Sequence, residues 1–432
     1  MSYFEDDFVD DSPHLNWKRP GRGEGLYDDE DVCLFSQVDP NDVNQGGLGD
    51  CWILSSMAAL AEFPSAITKL FTPQTLAADG RYVIRLWSWE HRAWTNIEID
   101  DRLPVDFTGR ACKYAKISGC GEIWPCLLEK AFAKYSGGYD RISGGNPAFS
   151  LASLTGCSDI VQLVKSKTED GVWEQYAPRW TSDDVKDGPE DGNPITDDPD
   201  QELTEGQVMK MIQDSDNMNY VMTASKYNTI GRAVGNIFCP VCMLCVAETD
   251  HGGIAFGHAY SLITVLSNAA GTGVNLVCLR NPWGDEKVVE WTGDWSDGDD
   301  LWRQYPQVRA AAHQNDADDG LFWMEFSDFV EHYDTIAICR CSMGMNRIQQ
   351  QVHPHRAEGQ AKPQKPGKAK AKGKSKPGPV RPQPAPQPQP NAPNPYGGGG
   401  GHPPAGPSPY GGGYPSPGPP PHQAYPSGYP PF

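Results

Sequence analysis

The sequence contains no apolar run long enough to cross a membrane and no recognisable export signal. Its longest apolar stretch, residues 237–247, has 11 residues, whereas a membrane-spanning helix needs roughly 18 or more. The first residues, MSYFEDDFVDDSP, are acidic and lack the basic and then apolar segments of a signal peptide. Twelve cysteines in such a chain are expected to be reduced thiols. These absences predict an intracellular, cytoplasmic protein without a transmembrane segment.

Basic side chains are scarce outside the C-terminal tail. The formal net charge is −20, yet residues 346–432 carry ten Lys or Arg and a single acidic residue, Glu358. The tail is therefore at +9 and the rest of the chain at about −29. Because so acidic a surface repels phosphate backbones and anionic lipid, we expect no nucleic-acid binding by the core.

Composition and hydrophobic patterning divide the chain into five segments. Helical spacing dominates the first half of the core, and short alternating, strand-like runs dominate the second, which predicts an α+β fold of two lobes with a cleft between them. The segments are an acidic flexible leader (1–30), lobe 1 (31–165), an acidic insertion (166–218), lobe 2 (219–345) and a disordered Lys/Pro/Gly-rich tail (346–432).

Cys51 stands at the predicted start of a helix, within the segment QGGLGDCW. Apolar residues follow it at helical spacing from Ile53 to Ala61, and Pro64 ends the pattern. A helix N-terminus favours thiolate over thiol, because its dipole and unbonded N–H groups stabilise negative charge. A lone cysteine is more often an inert buried residue, so this assignment needs a partner.

His258 and Asn281 supply that partner. Residues 259–266 and 274–280 have strand-like patterns, and SNAAGTG between them indicates a turn, so the two segments are expected to form an antiparallel hairpin. A turn centred between Ala269 and Ala270 would place His258 directly opposite Asn281. The asparagine oxygen would then fix which imidazole nitrogen faces the thiol, which predicts a Cys-His-Asn catalytic set.

The chain resembles the calpain family of cysteine proteases in several motifs over roughly residues 30–345. Three of them contain the residues above, and four others occur in the same order as in the family. They are QGGLGDCW, GHAYSL (257–262) and LRNPWG (279–284), together with IDDRLPV (99–105), LLEKAFAKYSGGYDRISGG (127–145), EWTGDWSD (290–297) and DDGLFWMEFSDF (318–329).

The resemblance implies a papain-like two-lobed fold and limited cleavage of intracellular protein substrates. It assigns the nucleophile to Cys51, the general base to His258 and the orienting amide to Asn281. It further implies that Gln45 donates to the oxyanion beside the Cys51 N–H, and that Trp283 shields the His–Asn bond.

Calcium is the cofactor that the resemblance implies, with no organic cofactor. Matching acidic ligands are Asp42 and Glu129 in lobe 1 and Glu290, Asp297 and Asp319 in lobe 2. The chain has Leu321 where the family has a further carboxylate, residues 281–290 are three residues longer than usual, and no EF-hand loop is present. Because calcium prefers 6–8 oxygens, we expect weak activation dominated by lobe 1.

Other interpretations remain open at this stage. A transglutaminase-like acyl transferase is disfavoured by the asparagine and by the LRNPWG block. A catalytically weak scaffold would act through its tail, where Lys376–Pro382 fits an SH3- or WW-type ligand and the run Lys362–Lys376 is a candidate import or lipid patch. CPVCMLC (239–245) lacks the second CxxC of a zinc site, and His251 is interpreted as a surface-loop residue.

Overall fold

The computed structural model describes residues 3–8, 15–27, 32–89, 91–177, 199–227, 249–284, 290–314, 319–344 and 347. Contacts divide the chain into two units, residues 1–352 and 353–432, and everything below concerns the first. The CPVCMLC motif, the centre of the acidic insertion, the lysine run and the SH3-type motif lie outside the described residues.

Helices dominate the first part of this unit, as the sequence predicts. Cys51–Ala61 forms the predicted helix and is buried along its whole length, while Trp124–Ser136 ends at Gly137, which adopts a left-handed conformation that closes the helix. The α-helices in the described residues are α1 (Cys51–Ala61), α2 (Pro64–Thr68), α3 (Trp124–Ser136), α4 (Pro147–Thr155), α5 (Glu205–Asn217), α6 (Leu301–Gln304), α7 (Pro306–Ala312) and α8 (Phe326–His332).

Three antiparallel sheets contain the strands of the described residues. Alternating apolar residues over 82–89 and 94–99 predict a pair of strands, and these are confirmed as β3 and β4 in a three-stranded sheet. The large sheet has the order β12-β11-β10-β9-β13-β6-β7-β8. The strands are β1 (Asn16–Lys18), β2 (Phe71–Thr72), β3 (Arg81–Ser88), β4 (Ala93–Asp100), β5 (Leu103–Val105), β6 (Ile160–Lys165), β7 (Val172–Tyr176), β8 (Gln201–Thr204), β9 (Val221–Lys226), β10 (His258–Leu266), β11 (Leu276–Arg280), β12 (Leu321–Glu325) and β13 (Thr335–Cys339).

Side chains alternate between the two faces of the large sheet, so each face packs against its own hydrophobic cluster. Leu262 and Leu279 belong to one hydrophobic cluster, whereas Ile263 and Cys278 belong to another, because successive strand residues point to opposite faces. A further cluster gathers the helices α1, α3 and α4 with β3 and β4. The structure therefore confirms a mixed helix-and-sheet core.

Helix α1 packs directly against strand β10. In the middle of this contact the Ser261 hydroxyl donates a 2.7 Å hydrogen bond to the carbonyl oxygen of Ser55, and both residues are buried. Since Ser55 lies one turn after Cys51 and Ser261 lies three residues after His258, this contact fixes the helix and the strand relative to each other near the candidate site.

The β10–β11 hairpin exists, but the predicted register is wrong by two residues at its open end and by three residues beyond a bulge. Ser261 pairs with Arg280 and Leu266 with Leu276, with a bulge between Leu262 and Thr264. The turn is longer than expected, because the Asn268 and Asn275 side chains accept backbone N–H groups within it and hold residues 267–275 out of the ladder. On the open side of the bulge, where His258 lies, an error of two residues leaves each side chain on its expected face, whereas an error of one would reverse it.

Three predicted segments need correction. The leader 1–30, predicted to be flexible, contributes β1, which pairs with β5. Both ends of the span 166–218, predicted to be an insertion, belong to the fold as β7, β8 and α5, because apolar residues such as Trp173 and Val208 are buried there. Arg347, which the sequence analysis assigned to the disordered tail, binds Glu62, Asp216 and the Ile263 carbonyl oxygen. The folded unit therefore extends at least to Arg347.

Two further observations concern the predicted environment of the protein. No helix among the described residues has the length and apolarity to cross a membrane. The nine cysteines in the described part of the chain are all free thiols.

Candidate active site

Cys51 is the first residue of α1 and is 3% exposed. The helix begins here because the Asp50 carbonyl oxygen accepts the N–H groups of both Ile53 and Leu54. The first N–H groups of a helix have no partner within it, so the sulfur stands at the positive end of α1. Burial raises the pKa of the Tyr260 hydroxyl, and the Asp250 and Cys51 charges act in the same direction.

His258 is the first residue of β10 and binds Asn281 directly. The distance between His258 Nε2 and Asn281 Oδ1 is 2.9 Å, and both residues are buried. Asn281 Oδ1 also accepts the backbone N–H of Trp283 at 3.1 Å, which fixes the orientation of the amide. Because the oxygen faces Nε2, that nitrogen carries a hydrogen and Nδ1 is the acceptor nitrogen of a neutral ring.

Trp283 lies against the histidine ring, with ring centroids 4.1 Å apart and planes at 32°. If the observed strand register is extended, Trp283 rather than Asn281 is the residue opposite His258, and Asn281 reaches the imidazole from the diagonal position. The structure thus brings His258, Asn281 and Trp283 together, as the sequence predicted, through a different pairing.

Gln45 is joined to this group through the backbone. Its N–H donates to the carbonyl oxygen of Pro282 at 2.8 Å, and Pro282 lies between Asn281 and Trp283 in the sequence. A second bond joins the same two segments, because Arg280 donates to the Asn41 side chain at 3.1 Å. The side-chain amide of Gln45 donates to the Leu48 carbonyl oxygen at 2.6 Å and to Asp50 at 3.3 Å. Donation to an oxyanion would therefore require one of these bonds to be exchanged.

Asp50, the residue before Cys51, and Glu129 form a buried pair of carboxyl groups that the sequence did not predict. Asp50 and Glu129 are hydrogen-bonded to each other and both are fully buried. Burial raises the pKa of Asp50 to about 7; burial and the Asp50 charge raise the pKa of Glu129 well above its usual range. Burial and mutual repulsion both favour the protonated form of such a carboxyl pair. The one signal of this pair in the sequence is a charged residue, Asp50, directly before the predicted nucleophile.

Comparison with known proteins identifies the family. Residues 3–340 match the model of the calpain family of cysteine proteases. This chain belongs to that family. It is 30% identical over 336 residues to calpain-A of Drosophila melanogaster, covering 76% of this chain and 34% of the relative.

Mouse relatives give the same result. The chain is 29% identical over 331 residues to calpain-9 of Mus musculus, covering 75% of this chain and 39% of the relative. It is 28% identical over 336 residues to the calpain-2 catalytic subunit of Mus musculus, covering 75% and 38%. The chain thus matches between a third and two fifths of the length of these calpains.

The acidic residues that resemble calcium ligands of the calpain family fall into separate contacts. In lobe 1, Asp42 accepts the Asp39 N–H at 2.9 Å and is hydrogen-bonded to Glu122; burial, followed by the Asp39 and Glu122 charges, raises its pKa to about 9. Glu129 instead contacts Asp50 and accepts the Ala115 N–H at 2.8 Å. The two predicted lobe 1 ligands, Asp42 and Glu129, are thus bound to different carboxyl groups.

In lobe 2, two of the three acidic residues meet at one turn. Glu290 Oε1 accepts the Gly320 N–H at 3.1 Å, and Asp319 Oδ1 accepts the Leu321 N–H at 3.1 Å. Asp297 is bound to the Gln314 amide at 2.6 Å. Glu290 and Asp319 are therefore the part of the predicted set whose placement best fits an oxygen-rich cation site.

Proposed function

We propose that this chain is a cysteine endopeptidase that cleaves intracellular proteins through Cys51, His258 and Asn281. The 2.9 Å bond between His258 and Asn281, beside a helix that begins at Cys51, is the observation that supports it most strongly. Membership of the calpain family points to the same chemistry. A papain-like division into two lobes with the site in the cleft, and a cytoplasmic location, belong to this proposal.

The proposed reaction uses the tautomer that Asn281 enforces. His258 Nδ1 takes the proton of the Cys51 thiol, and the thiolate attacks the scissile carbonyl carbon. The imidazolium then gives its proton to the leaving amine, which leaves a thioester on Cys51. Water, deprotonated by His258, hydrolyses the thioester and restores the thiol.

Two further residues support the reaction in this proposal. The Cys51 N–H and the Gln45 amide stabilise the oxyanion, with the Gln45 amide released from Asp50 or Leu48 when substrate binds. Trp283 covers the imidazole and keeps water from competing for the His258–Asn281 bond.

The test is covalent labelling combined with hydrolysis. A peptide epoxide that reacts with thiols is expected to label one site and block casein hydrolysis in the unmodified protein. Cys51→Ala is expected to lose both the labelling and the hydrolysis. Its melting temperature should stay within a few degrees of that of the unmodified protein, because the substitution removes only one sulfur atom. Cys120→Ala, at an exposed cysteine, is the matched control and is expected to retain both.

Retained hydrolysis in a folded Cys51→Ala protein would refute the assignment of the nucleophile. Epoxide labelling without hydrolysis of any protein substrate would instead support the scaffold alternative, in which the tail recruits SH3- or WW-type partners.

We also propose that calcium binds at Glu290 and Asp319, in lobe 2, rather than at the lobe 1 pair expected from the resemblance. The reason is that Glu129 is engaged with Asp50, whereas Glu290 and Asp319 meet at one turn. Calcium would supply the positive charge that holds these carboxylates together.

Thermal melts of the full chain in calcium, magnesium and EGTA test the calcium proposal. Asp319→Asn is expected to remove a calcium-specific rise in melting temperature that Asp42→Asn retains. The reverse pattern would restore the lobe 1 site. Equal melting temperatures and equal activity in calcium and EGTA would refute calcium binding altogether.

A further inference from the structure

A histidine that the proposed reaction does not use is held in a fixed orientation at the end of α8. His332 is 3% exposed, and its Nδ1 lies 2.5 Å from Asp250 Oδ2. The Lys226 ammonium group binds the same carboxylate oxygen at 2.6 Å. Because Asp250 is thereby held as a carboxylate, it accepts a hydrogen from His332 Nδ1, and Nε2 becomes the basic nitrogen of the ring.

Two exposed side chains that can also bind a metal ion lie near this histidine. His251 and Glu331 are 78% and 64% exposed, and His251 Nε2 lies 3.8 Å from Glu331 Oε1. The His251 and His332 ring centroids are 4.9 Å apart. One potential ligand atom from each of His251, Glu331 and His332 lies within 4.8 Å of the other two.

The turn of residues 250–254, which carries His251, is held by side-chain hydrogen bonds and by close packing. Asp250 Oδ1 accepts the N–H groups of Gly252 and Ile254 at 2.9 and 3.0 Å. A Cβ atom at position 252 would lie 2.3 Å from the Trp291 ring and 2.9 Å from the His332 ring, so only glycine permits this close approach. Asp250 thus orients the His332 ring and shapes the turn that presents His251.

Two imidazoles and one carboxylate form the ligand set of a zinc-type ion. In a tetrahedral site with Zn–N distances of about 2.0–2.1 Å, ligand atoms lie roughly 3.3 Å apart. The exposed His251 and Glu331 side chains can close the remaining gap by small rotations, while His332 stays fixed. A carboxylate that accepts the second N–H of a ligating histidine is the usual outer partner of such sites. Calcium, which prefers oxygen ligands, does not suit this set.

We propose that His251, Glu331 and His332 bind a divalent transition-metal ion of the zinc type, with water as the fourth ligand and Asp250 as the residue that orients His332. The bound ion ties α8 to the turn at residues 250–254. This turn leads through the Thr249–Ala255 bridge into β10. The proposal does not depend on the peptidase assignment.

The simpler interpretation is an exposed His251–Glu331 ion pair, which stabilises the fold little because both groups are well solvated. Zinc titration of the full-length Cys51→Ala protein against a chromophoric chelator distinguishes the two, since this background removes the thiolate of the candidate active site. We expect one site that weakens at least tenfold in His251→Ala and in Glu331→Gln. Asp250→Asn is expected to weaken it by roughly 10–100-fold, as for other outer partners of zinc ligands. His91→Ala, at another exposed histidine, is the matched control and should leave the affinity unchanged.

Cobalt substitution identifies the ligand atoms. Nitrogen and oxygen ligation gives visible bands without sulfur-to-cobalt charge transfer, and we expect that spectrum for the first equivalent. A charge-transfer band at the first equivalent would overturn the proposal, because the ion would then sit on cysteine thiolates. Unchanged zinc affinity in both His251→Ala and Glu331→Gln would overturn it as well, leaving only the ion pair.

Discussion

The contact between α1 and β10 has two ends that are held together by different interactions. We call the end at Cys51 and His258 the reactive end, after the proposed chemistry, and the end at Glu62 and Ile263 the far end. At one end, α1 begins at Cys51 and β10 begins at His258, and neutral contacts such as the Ser55–Ser261 bond position them. At the other end, Glu62 follows the last residue of α1, and Arg347 joins it to Asp216 and to the Ile263 carbonyl oxygen of β10. Helix and strand are thus held together by an ionic cluster about three helical turns away from the proposed chemistry.

The difference shows where this fold can place charge. Glu62 and Asp216 at the far end are both bound to Arg347, whereas Asp50 and Glu129 near Cys51 contact each other. A buried ion pair stabilises a contact only while all its members are present.

The largest expected effect comes from breaking the reactive end. His258→Ala should lower kcat/KM for casein by about 10⁴-fold, since it removes the proton-transferring group. Asn281→Ala should cost less, roughly 10–10²-fold, because it only misorients the base. Both are measured on folded protein against Ser36→Ala as a surface control. Equal losses in the two variants would make Asn281 a structural residue.

Breaking the far end should affect stability rather than chemistry. Arg347→Met leaves the buried carboxyl groups of Glu62 and Asp216 without their common cation and is expected to lower the free energy of unfolding by about 3–5 kcal/mol. A chain ending at residue 349 should keep the stability and activity of the full chain, whereas one ending at residue 346 should resemble Arg347→Met. Denaturant melts measure this. Identical midpoints for the two truncated chains would show that Arg347 contributes nothing.

The loop beside Cys51 allows a finer test of the reactive end. Gln45→Ala is expected to lower kcat by about 10²–10³-fold through loss of an oxyanion donor. Its effect on KM should be small if the amide is released from Leu48 and Asp50 only as the oxyanion forms. A loss confined to KM would instead assign Gln45 to substrate binding.

The smallest effect concerns pH at the far end. Burial raises the pKa of Glu62 to about 8, although Arg347 opposes this. A carboxyl group whose folded pKa exceeds its unfolded value adds stability below the unfolded pKa, near 4.5, and loses it as the pH rises toward the folded one. The melting-temperature advantage of the unmodified protein over Glu62→Gln should therefore shrink between pH 5 and pH 8. A growing advantage would mean that Arg347 dominates and that Glu62 is charged throughout.

Much of the fold could be predicted because its signals are local. The start of α1 at Cys51, the end of α3 before Gly137 and the β3–β4 pair follow from periodicity and from turn residues close in sequence. The wrong hairpin register had a local origin as well. Asn268 and Asn275 lengthen the turn through side-chain bonds that no count of residues reveals.

The sequence by itself determined the family and the proposed catalytic residues, because each lies in a short motif with its own spacing. Only the tertiary structure decided which groups meet across long separations: Arg347 with Glu62, Glu129 with Asp50, and His332 with His251 and Asp250. Such contacts depend on how buried faces pack. A charged residue's spacing along the chain does not tell whether it will meet a like charge, an opposite charge or a second histidine.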